Sequence, residues 1–349
     1  MDTLLALPTP DMLDKAADIL ISGGLVAFPT ETVYGLGANA LDELAVRGIF
    51  VAKGRPADNP LIVHVDGVHM AQRVCVWNNM AQELATAFWP GPLTMVLPRR
   101  GIVPDIVTAG LATVGVRMPD HPVAHQLIER CGLPLAAPSA NLSGRPSPTR
   151  AAHVMDDFDG EIPMILDGGE CAIGVESTVV DMTGTVPTIL RPGAVTPEQV
   201  AMVLGECRVS PAVRRDLLPG EDAPSPGMRH RHYAPRAAMT LVKGDPEAVA
   251  RHINAAYNKT DSAVILAFTP HLLLYGERRV RNLGPDAATA AHRLFYILRE
   301  LDDLGFREIY SETLPETGLG LAVMNRLARA AAFRIVDAGA PTPAQSPDT

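Results

Sequence analysis

Three times the chain sets a hydroxyl residue in front of a proline at the head of a helix-like run: Thr9-Pro10, Ser147-Pro148 and Thr196-Pro197. A Ser or Thr at the N-cap accepts a hydrogen bond from a free backbone N–H. A proline one step further has φ already set for a helix and no N–H to lose. Behind Thr9, the stripe Leu13, Ala16, Ala17, Leu20 follows one helical face, and Gly23-Gly24 should end it. Behind Thr196, Gln199 stands at the capping-box position. Between these starts lie short β-prone runs at 25–28, 61–65, 93–97, 113–117, 164–166 and 177–181. Such alternation requires an α/β sheet, twisted and open, with helices packed on it.

From about 205 to 236 the pattern lapses into Arg, Pro, Gly, Asp and Glu, as in Leu218-Pro-Gly-Glu-Asp-Ala-Pro-Ser-Pro-Gly227, and this reads as a linker. Alternation then resumes. Met239 to Val242, a helix near 246–257, Ala263 to Phe268, a long helix from Pro285 to about Leu304, Glu308 to Tyr310 and a helix at about 319–332 succeed one another as βαβ units do. The expected organisation is a first domain over 1–205, a linker or lid over 206–236, a smaller Rossmann-like α/β/α domain over 237–340 and a disordered tail over 341–349. The length of 349 residues suits two domains of ordinary size.

Composition excludes several function classes. A net charge of −9 argues against a general nucleic-acid coat, which needs clustered Lys and Arg, although a local basic patch is compatible with it. Cysteines at 75, 131, 171 and 207 are too far apart for CxxC zinc ligation and too few for a disulfide scaffold, as expected of a reducing compartment. Asp2, Asp11 and Asp14 replace the basic region of a signal peptide, and no apolar run has the length of a membrane span. The expectation is a cytoplasmic protein with no membrane partner.

Chemistry concentrates in Lys53-Gly-Arg55-Pro-Ala-Asp-Asn59-Pro60-Leu61. Prolines at 56 and 60 stop a helix there. An extended segment would put Lys53 and Arg55 on one face as an anion clamp, with Asn59 close behind. Ser139-Ala-Asn141 presents a hydroxyl and an amide just past the apolar run Leu133-Pro-Leu-Ala-Ala. Phosphate oxygens seek such partners: an arginine fork, a lysine point charge and short polar donors. Two other signals have simpler readings. Gly35-Leu-Gly37-Ala-Asn-Ala40 fits the G-x-G-x-x-A pattern, but its glycines fall about seven residues after Phe28, which favours a tight turn over a dinucleotide site. His121 and His125 have zinc spacing, yet no Glu accompanies them and Pro122 marks a helix start. No P-loop sequence occurs.

Eight motifs in order carry a resemblance: PTETVYGLG (Pro29 to Gly37), KxRPxxNPL (Lys53 to Leu61), WPGPLT (Trp89 to Thr94), VxVRxP (Val114 to Pro119), APSAN (Ala137 to Asn141), GVEST (Gly174 to Thr178), LRPG (Leu190 to Gly193) and PGMxxxHYAP (Pro226 to Pro235). Together they resemble the YrdC/Sua5 family of threonylcarbamoyl-AMP synthases, in its longer two-domain Sua5 form. The resemblance implies a YrdC-like first domain. It also implies condensation of L-threonine, bicarbonate or CO₂, and ATP into threonylcarbamoyladenylate with release of pyrophosphate, for the t6A base of tRNA. Mg²⁺ would accompany ATP, with no metal ligand assigned to the protein.

By the same resemblance, Lys53 and Arg55 would be catalytic, and Thr30, Thr32, His64, Arg117, Ala137 and Ser177 would hold threonine. Lys53, Arg55, Asn59, Thr113, Ser139, Asn141, Ser147, Arg191, His232 and Tyr233 would hold the nucleotide. Arg117 alone also reads as a structural ion pair, Ser139, Asn141 and Ser147 as turn or helix caps, Thr30, Thr32 and Tyr34 as strand residues, and His64 as a core histidine. Downstream tRNA t6A transferase machinery would take the product, and weak contact with tRNA or double-stranded RNA is a further implication. The alternatives are an RNA-binding, translation-associated module, which lacks its basic and aromatic interleaving here, and a carbamoyl-transferring YrdC-like enzyme, whose acylphosphatase and zinc-finger modules have no room in this chain.

Overall fold

A computed structural model describes residues 2–215 and 233–339. In the first domain eleven strands form one mixed sheet. They are β1 (Leu4–Ala6), β2 (Val26–Phe28), β3 (Gly35–Asn39), β4 (Ile62–His64), β5 (Leu93–Pro98), β6 (Thr113–Arg117), β7 (Leu135–Ala136), β8 (Met164–Leu166), β9 (Thr178–Asp181), β10 (Thr188–Arg191) and β11 (Arg208–Val209). Their spatial order is β1-β8-β2-β3-β7-β4-β6-β5-β9-β10-β11. The helix Pro10–Ile21 starts as expected, with Thr9 accepting from Met12 N, and buries Leu13, Ala16, Ala17 and Leu20. Thr196 and Gln199 form the capping box of the helix Pro197–Leu204. His121 caps the helix Pro122–Cys131 through Nδ1, so its imidazole serves the backbone.

Four local expectations are corrected. Gly35–Asn39 is a strand, antiparallel to both β2 and β7, and not a tight turn. Glycine is needed at 37 for close approach: a Cβ there would stand 2.7 Å from the Phe28 ring. Lys53 is the last residue of the helix Glu43–Lys53, and Gly54 leaves it at φ 58°, the left-handed turn glycine adopts freely, so the segment is not extended. The helix expected to start at Ser147-Pro148 starts instead at Ala151, the Ser147 hydroxyl being committed to Glu176 at 2.5 Å. Residues 206–215 are not a bare tether: β11 pairs with β10, and Ala212 and Val213 are buried.

The second domain is a parallel sheet of β12 (Ala238–Lys243), β13 (Ala263–Phe268), β14 (Val280–Gly284), β15 (Glu308–Glu312) and β16 (Ile335–Asp337), in the order β14-β13-β15-β12-β16. Alternate residues along each strand enter different cores. Leu241, Val264 and Leu266 pack with the helices Ala287–Asp303 and Leu319–Ala330, while Val242, Ile265 and Ala267 pack with the helix Pro246–Tyr257. Period-two side-chain alternation thus yields the three-layer α/β/α architecture.

The two domains share a dry interface. Val33 and Val175 of the first belong to the core of the second. Buried Arg299 donates to the Pro146 carbonyl at 2.7 Å and to Asp157 at 2.8 Å, gripping the loop that follows Asn141. Buried Arg326 donates to Glu176 at 2.8 Å, and Asn325 to the Val213 carbonyl at 2.7 Å. Among the described residues, no helix is long and apolar enough to cross a membrane.

Candidate active site

Parallel pairing of β4 with β6 sets His64 beside Arg117 at the ends of adjacent strands. The loop between β2 and β3 faces them. There the Thr30 hydroxyl bonds the Val33 carbonyl (2.6 Å) and the Thr32 hydroxyl (2.8 Å), and accepts from the Thr32 and Val33 N–H groups, which is why Thr suits this turn. Arg117 donates to Thr32 Oγ1 at 3.0 Å and makes ion-pair contact with Glu31 at 2.7 Å. From the opposite wall, Arg191 on β10 donates to the Ser177 carbonyl (3.0 Å) and hydroxyl (3.1 Å), and Ser177 shares a further hydrogen bond with Thr94.

These side chains line one cavity of about 650 Å³, open mouth included. Of the residues expected at the site, it gathers Thr30, Thr32, Arg55, His64, Arg117, Ala137, Ser139, Asn141, Ser177, Arg191 and Tyr233. Ser139 Oγ donates to Asn141 Oδ1 at 2.5 Å, while the Asn141 amide spans the Leu142 and Arg145 carbonyls, so the loop carrying both residues is fixed. Tyr233 is buried at φ 62°, stacked on Phe295 with ring centroids 5.1 Å apart. A bulky residue takes that backbone conformation only when its surroundings hold it there.

Four expected residues stand off the cavity wall. Lys53 is not an exposed clamp cation: it is 3% exposed, and its ammonium donates to the Ser139 carbonyl (2.6 Å) and the Asn141 carbonyl (2.5 Å). Asn59 is fully buried, and its backbone carbonyl accepts from Arg55 at 2.9 Å. Thr113 lines a separate small cavity with Pro60, Leu61 and Thr94. Ser147 lies behind the wall on Glu176. His232 lies outside the described residues.

The electrostatics are those of a largely buried cleft lined by guanidinium groups. Burial, followed by the neighbouring Arg117, pushes the His64 pKa down to about 3, so the ring is neutral near pH 7. Its Nδ1 is buried without a hydrogen-bond partner. The Arg55 Nε is likewise unpartnered. Burial lowers the pKa of Arg55, and lowers that of Arg191 to about 10, leaving both cationic. Burial, then Arg55, draws the Lys53 ammonium well below its ordinary value. Buried polar atoms without partners are rare and costly, so here they mark places where a ligand's donors and acceptors fit.

Three contributors escaped the sequence reading. Glu176 lines the cleft and joins Ser147 to Arg326. Burial alone would raise its pKa, but Arg326 and Arg191 hold it below the usual carboxylate value. Arg326 follows the apolar run Leu321 to Met324 and Asn325, and a fully buried arginine there signals a partner elsewhere. Arg145 also lines the cleft and pairs with Asp157.

The sheet and the guanidinium-lined cleft define an enzyme that works on anionic small molecules. Residues 18–193 match the Sua5/YciO/YrdC family model, described as "Telomere recombination". Residues 195–332 match the model described as "Threonylcarbamoyl-AMP synthase, C-terminal domain". The chain is 49% identical to the threonylcarbamoyl-AMP synthase of Pyrococcus abyssi over 322 residues, covering 92% of this chain and 94% of that one. It is 45% identical to the Bacillus subtilis threonylcarbamoyl-AMP synthase over 331 residues, covering 92% and 93%. The crystal structure of P. abyssi Sua5 complexed with L-threonine superposes with a TM-score of 0.89 at 46% identity, over 96% of this chain and 98% of that one. The chain belongs to the threonylcarbamoyl-AMP synthase family, ATP-using enzymes of the nucleotidyl-transfer type.

Proposed function

We propose that the cleft condenses L-threonine, bicarbonate and ATP into L-threonylcarbamoyladenylate, pyrophosphate and water. The observation that carries this reading is the buried, neutral His64 ring lining one cleft with the guanidinium groups of Arg55, Arg117 and Arg191. An amino acid presents an ammonium or amine and a carboxylate, and a nucleotide adds phosphates, so this donor and acceptor set suits both. Threonine's carboxylate goes to Arg117, its nitrogen toward His64, and its hydroxyl toward Thr30, Thr32 and Ser177, with Ala137 against its body. The nucleotide phosphates lie against Arg55, Ser139, Asn141 and Arg191, with Tyr233 at the edge.

Bicarbonate takes up a proton and loses water to give CO₂, and the amine adds to CO₂ and gives up a proton to form the carbamate. A carbamate oxygen then attacks the α-phosphorus, and the bond to the bridging oxygen breaks to expel pyrophosphate. Both partners are anions, so catalysis consists of positioning them in line and offsetting charge in a site that excludes water. Arg55 supplies charge directly. Lys53 acts from behind by holding the Ser139 and Asn141 carbonyls, with Asn59 fixing Arg55 through its carbonyl. Ser147 orients Glu176, and Thr113 supports the strand that ends in Arg117.

Mg²⁺ enters as part of the ATP complex. Glu31 contacts Arg117, Glu176 is held by Arg326, and no group of three His, Cys, Asp or Glu among the described residues could hold a metal. Phosphate oxygens and water are ordinary Mg²⁺ ligands, and when bound the ion neutralises the pyrophosphate leaving group. A tRNA t6A transferase system in the cytoplasm would consume the adenylate, and weak tRNA contact is compatible with this role. Pyrophosphate release, measured with threonine, bicarbonate or ATP omitted in turn, tests the reading: each omission should abolish release. Undiminished release without threonine would overturn it.

A further inference from the structure

The second domain has a cavity of its own, about 710 Å³ with its open mouth counted, at the carboxyl ends of four parallel strands. Gly244 follows β12, Phe268 ends β13, Pro285 follows β14 and Glu312 ends β15, and all of them line it. In open parallel sheets this end is where ligands collect, because the loops leave toward helices on opposite faces and a crevice opens between them. Here the helix after β12 covers one face and the helices after β14 and β15 the other.

The lining indicates which ligand would fit. Glu312 is 3% exposed and receives three hydrogen bonds, from Phe268 N (2.9 Å), His271 Nδ1 (2.9 Å) and Tyr275 OH (2.7 Å). An ionised carboxylate has no proton to give, so Nδ1–H is the donor to Glu312, and in the neutral imidazole Nε2 then keeps a lone pair. That atom invites an N–H donor. The surrounding walls are flat and apolar: Pro246, Pro270, Pro285 and Pro315, with Phe268. No Lys or Arg is part of the lining, in contrast to the cleft of the first domain. A phosphate would find no cation here, and beside the Glu312 carboxylate it would be repelled. A planar neutral heterocycle with an amino group matches the walls, the acceptor and the charge together.

We propose that this cavity is a second ligand site, distinct from the catalytic cleft, that takes a neutral purine-type nucleobase or its nucleoside, with His271 Nε2 accepting from an exocyclic N–H. Adenosine serves as the probe. Its binding to the full-length protein is followed by ligand-observed NMR and calorimetry while threonine and a non-hydrolysable ATP analogue fill the cleft. Adenosine should still bind, AMP should bind at least tenfold more weakly, and both His271→Ala and the cavity-filling Thr313→Trp should weaken adenosine at least tenfold. Pyrophosphate release should stay within about twofold of wild type in both variants, which also confirms that each has folded. The proposal is overturned if adenosine does not bind once the cleft is filled, if AMP binds as well as adenosine, or if neither variant changes adenosine affinity.

Discussion

The catalytic cleft and the cavity of the second domain both open at strand ends, yet they are wired for opposite ligands. The cleft has Arg55, Arg117, Arg145 and Arg191 on its wall, whereas the other cavity has a buried carboxylate and a neutral acceptor. Both carry buried polar groups, and the difference lies in who satisfies them. In the second domain Glu312 is satisfied within its own fold by three donors. In the cleft, the carboxylate of Glu176 is satisfied from the other domain, by Arg326, and His64 Nδ1 and Arg55 Nε have no partner among the described residues. A site that leaves cationic and imidazole nitrogens short of partners suits an anionic, hydrogen-bonding substrate, and one whose charged group is satisfied within its own fold suits a neutral one.

The largest effect should come from breaking the cross-domain support of the cleft. Arg326→Met leaves Glu176 buried without its cation, which should cost about 3–5 kcal/mol in urea denaturation. Adding Glu176→Gln to that variant should restore much of the loss, since the stranded charge is then gone. An Arg326→Met protein as stable as wild type would mean that the interface does not rely on this pair. Next in size, Arg55→Ala should lower the turnover for pyrophosphate release by about 10²–10³-fold while the melting temperature shifts little, because its guanidinium lines the cleft and bonds the Asn59 carbonyl of its own loop. Turnover within tenfold of wild type would show that the cleft does not act through its charge.

Near neutral pH, where the first two effects are read, a third is silent: it is a pH effect confined to the cleft. His64 titrates at about 3 in the folded protein against 6.5 in the free side chain, so the unfolded chain binds its proton first. Its contribution is therefore fully present above pH 6.5 and is lost as pH falls toward 3, at up to about 1.4 kcal/mol per pH unit. His64→Gln should flatten the stability curve across that window, and an unchanged slope would assign the acid sensitivity elsewhere, for instance to His153, which burial holds at about 4. Least of all, Arg47→Ala removes an exposed pair with Glu43 and should change stability by less than about 0.5 kcal/mol. A larger loss would mean that surface charge, and not the buried pairs, dominates this fold.

The second domain was the more legible of the two. Its strands at 238–243, 263–268 and 308–312 and its helices at 246–257, 287–303 and 319–330 fall close to where periodicity puts them, because each βαβ step is local and each element buries one face. What escaped were β14 and β16, whose Arg281, Asn282 and Asp337 mask a strand pattern. In the first domain β1, β3, β10 and β11 went unread, since strands of two to five residues acquire their character from the neighbours they pair with. Site residues show the same division. Arg117 was visible as a charged side chain ending a strand-like run, and His64, Thr30 and Ser177 through the family motifs that contain them. Glu176 and Arg326 were not, because a partner 150 residues away leaves no periodic trace.

The sequence by itself determined the layering of both domains, the main helix starts and the family, since capping chemistry, side-chain period and ordered motifs are all local. Only the tertiary structure decided that Lys53 turns inward to hold two carbonyls while Arg55 alone faces the cleft. It also decided that the first domain's site is braced by an arginine of the second. Burial and ion pairing are properties of the space between distant segments, and a one-dimensional pattern records which groups are charged but not which of them water can reach.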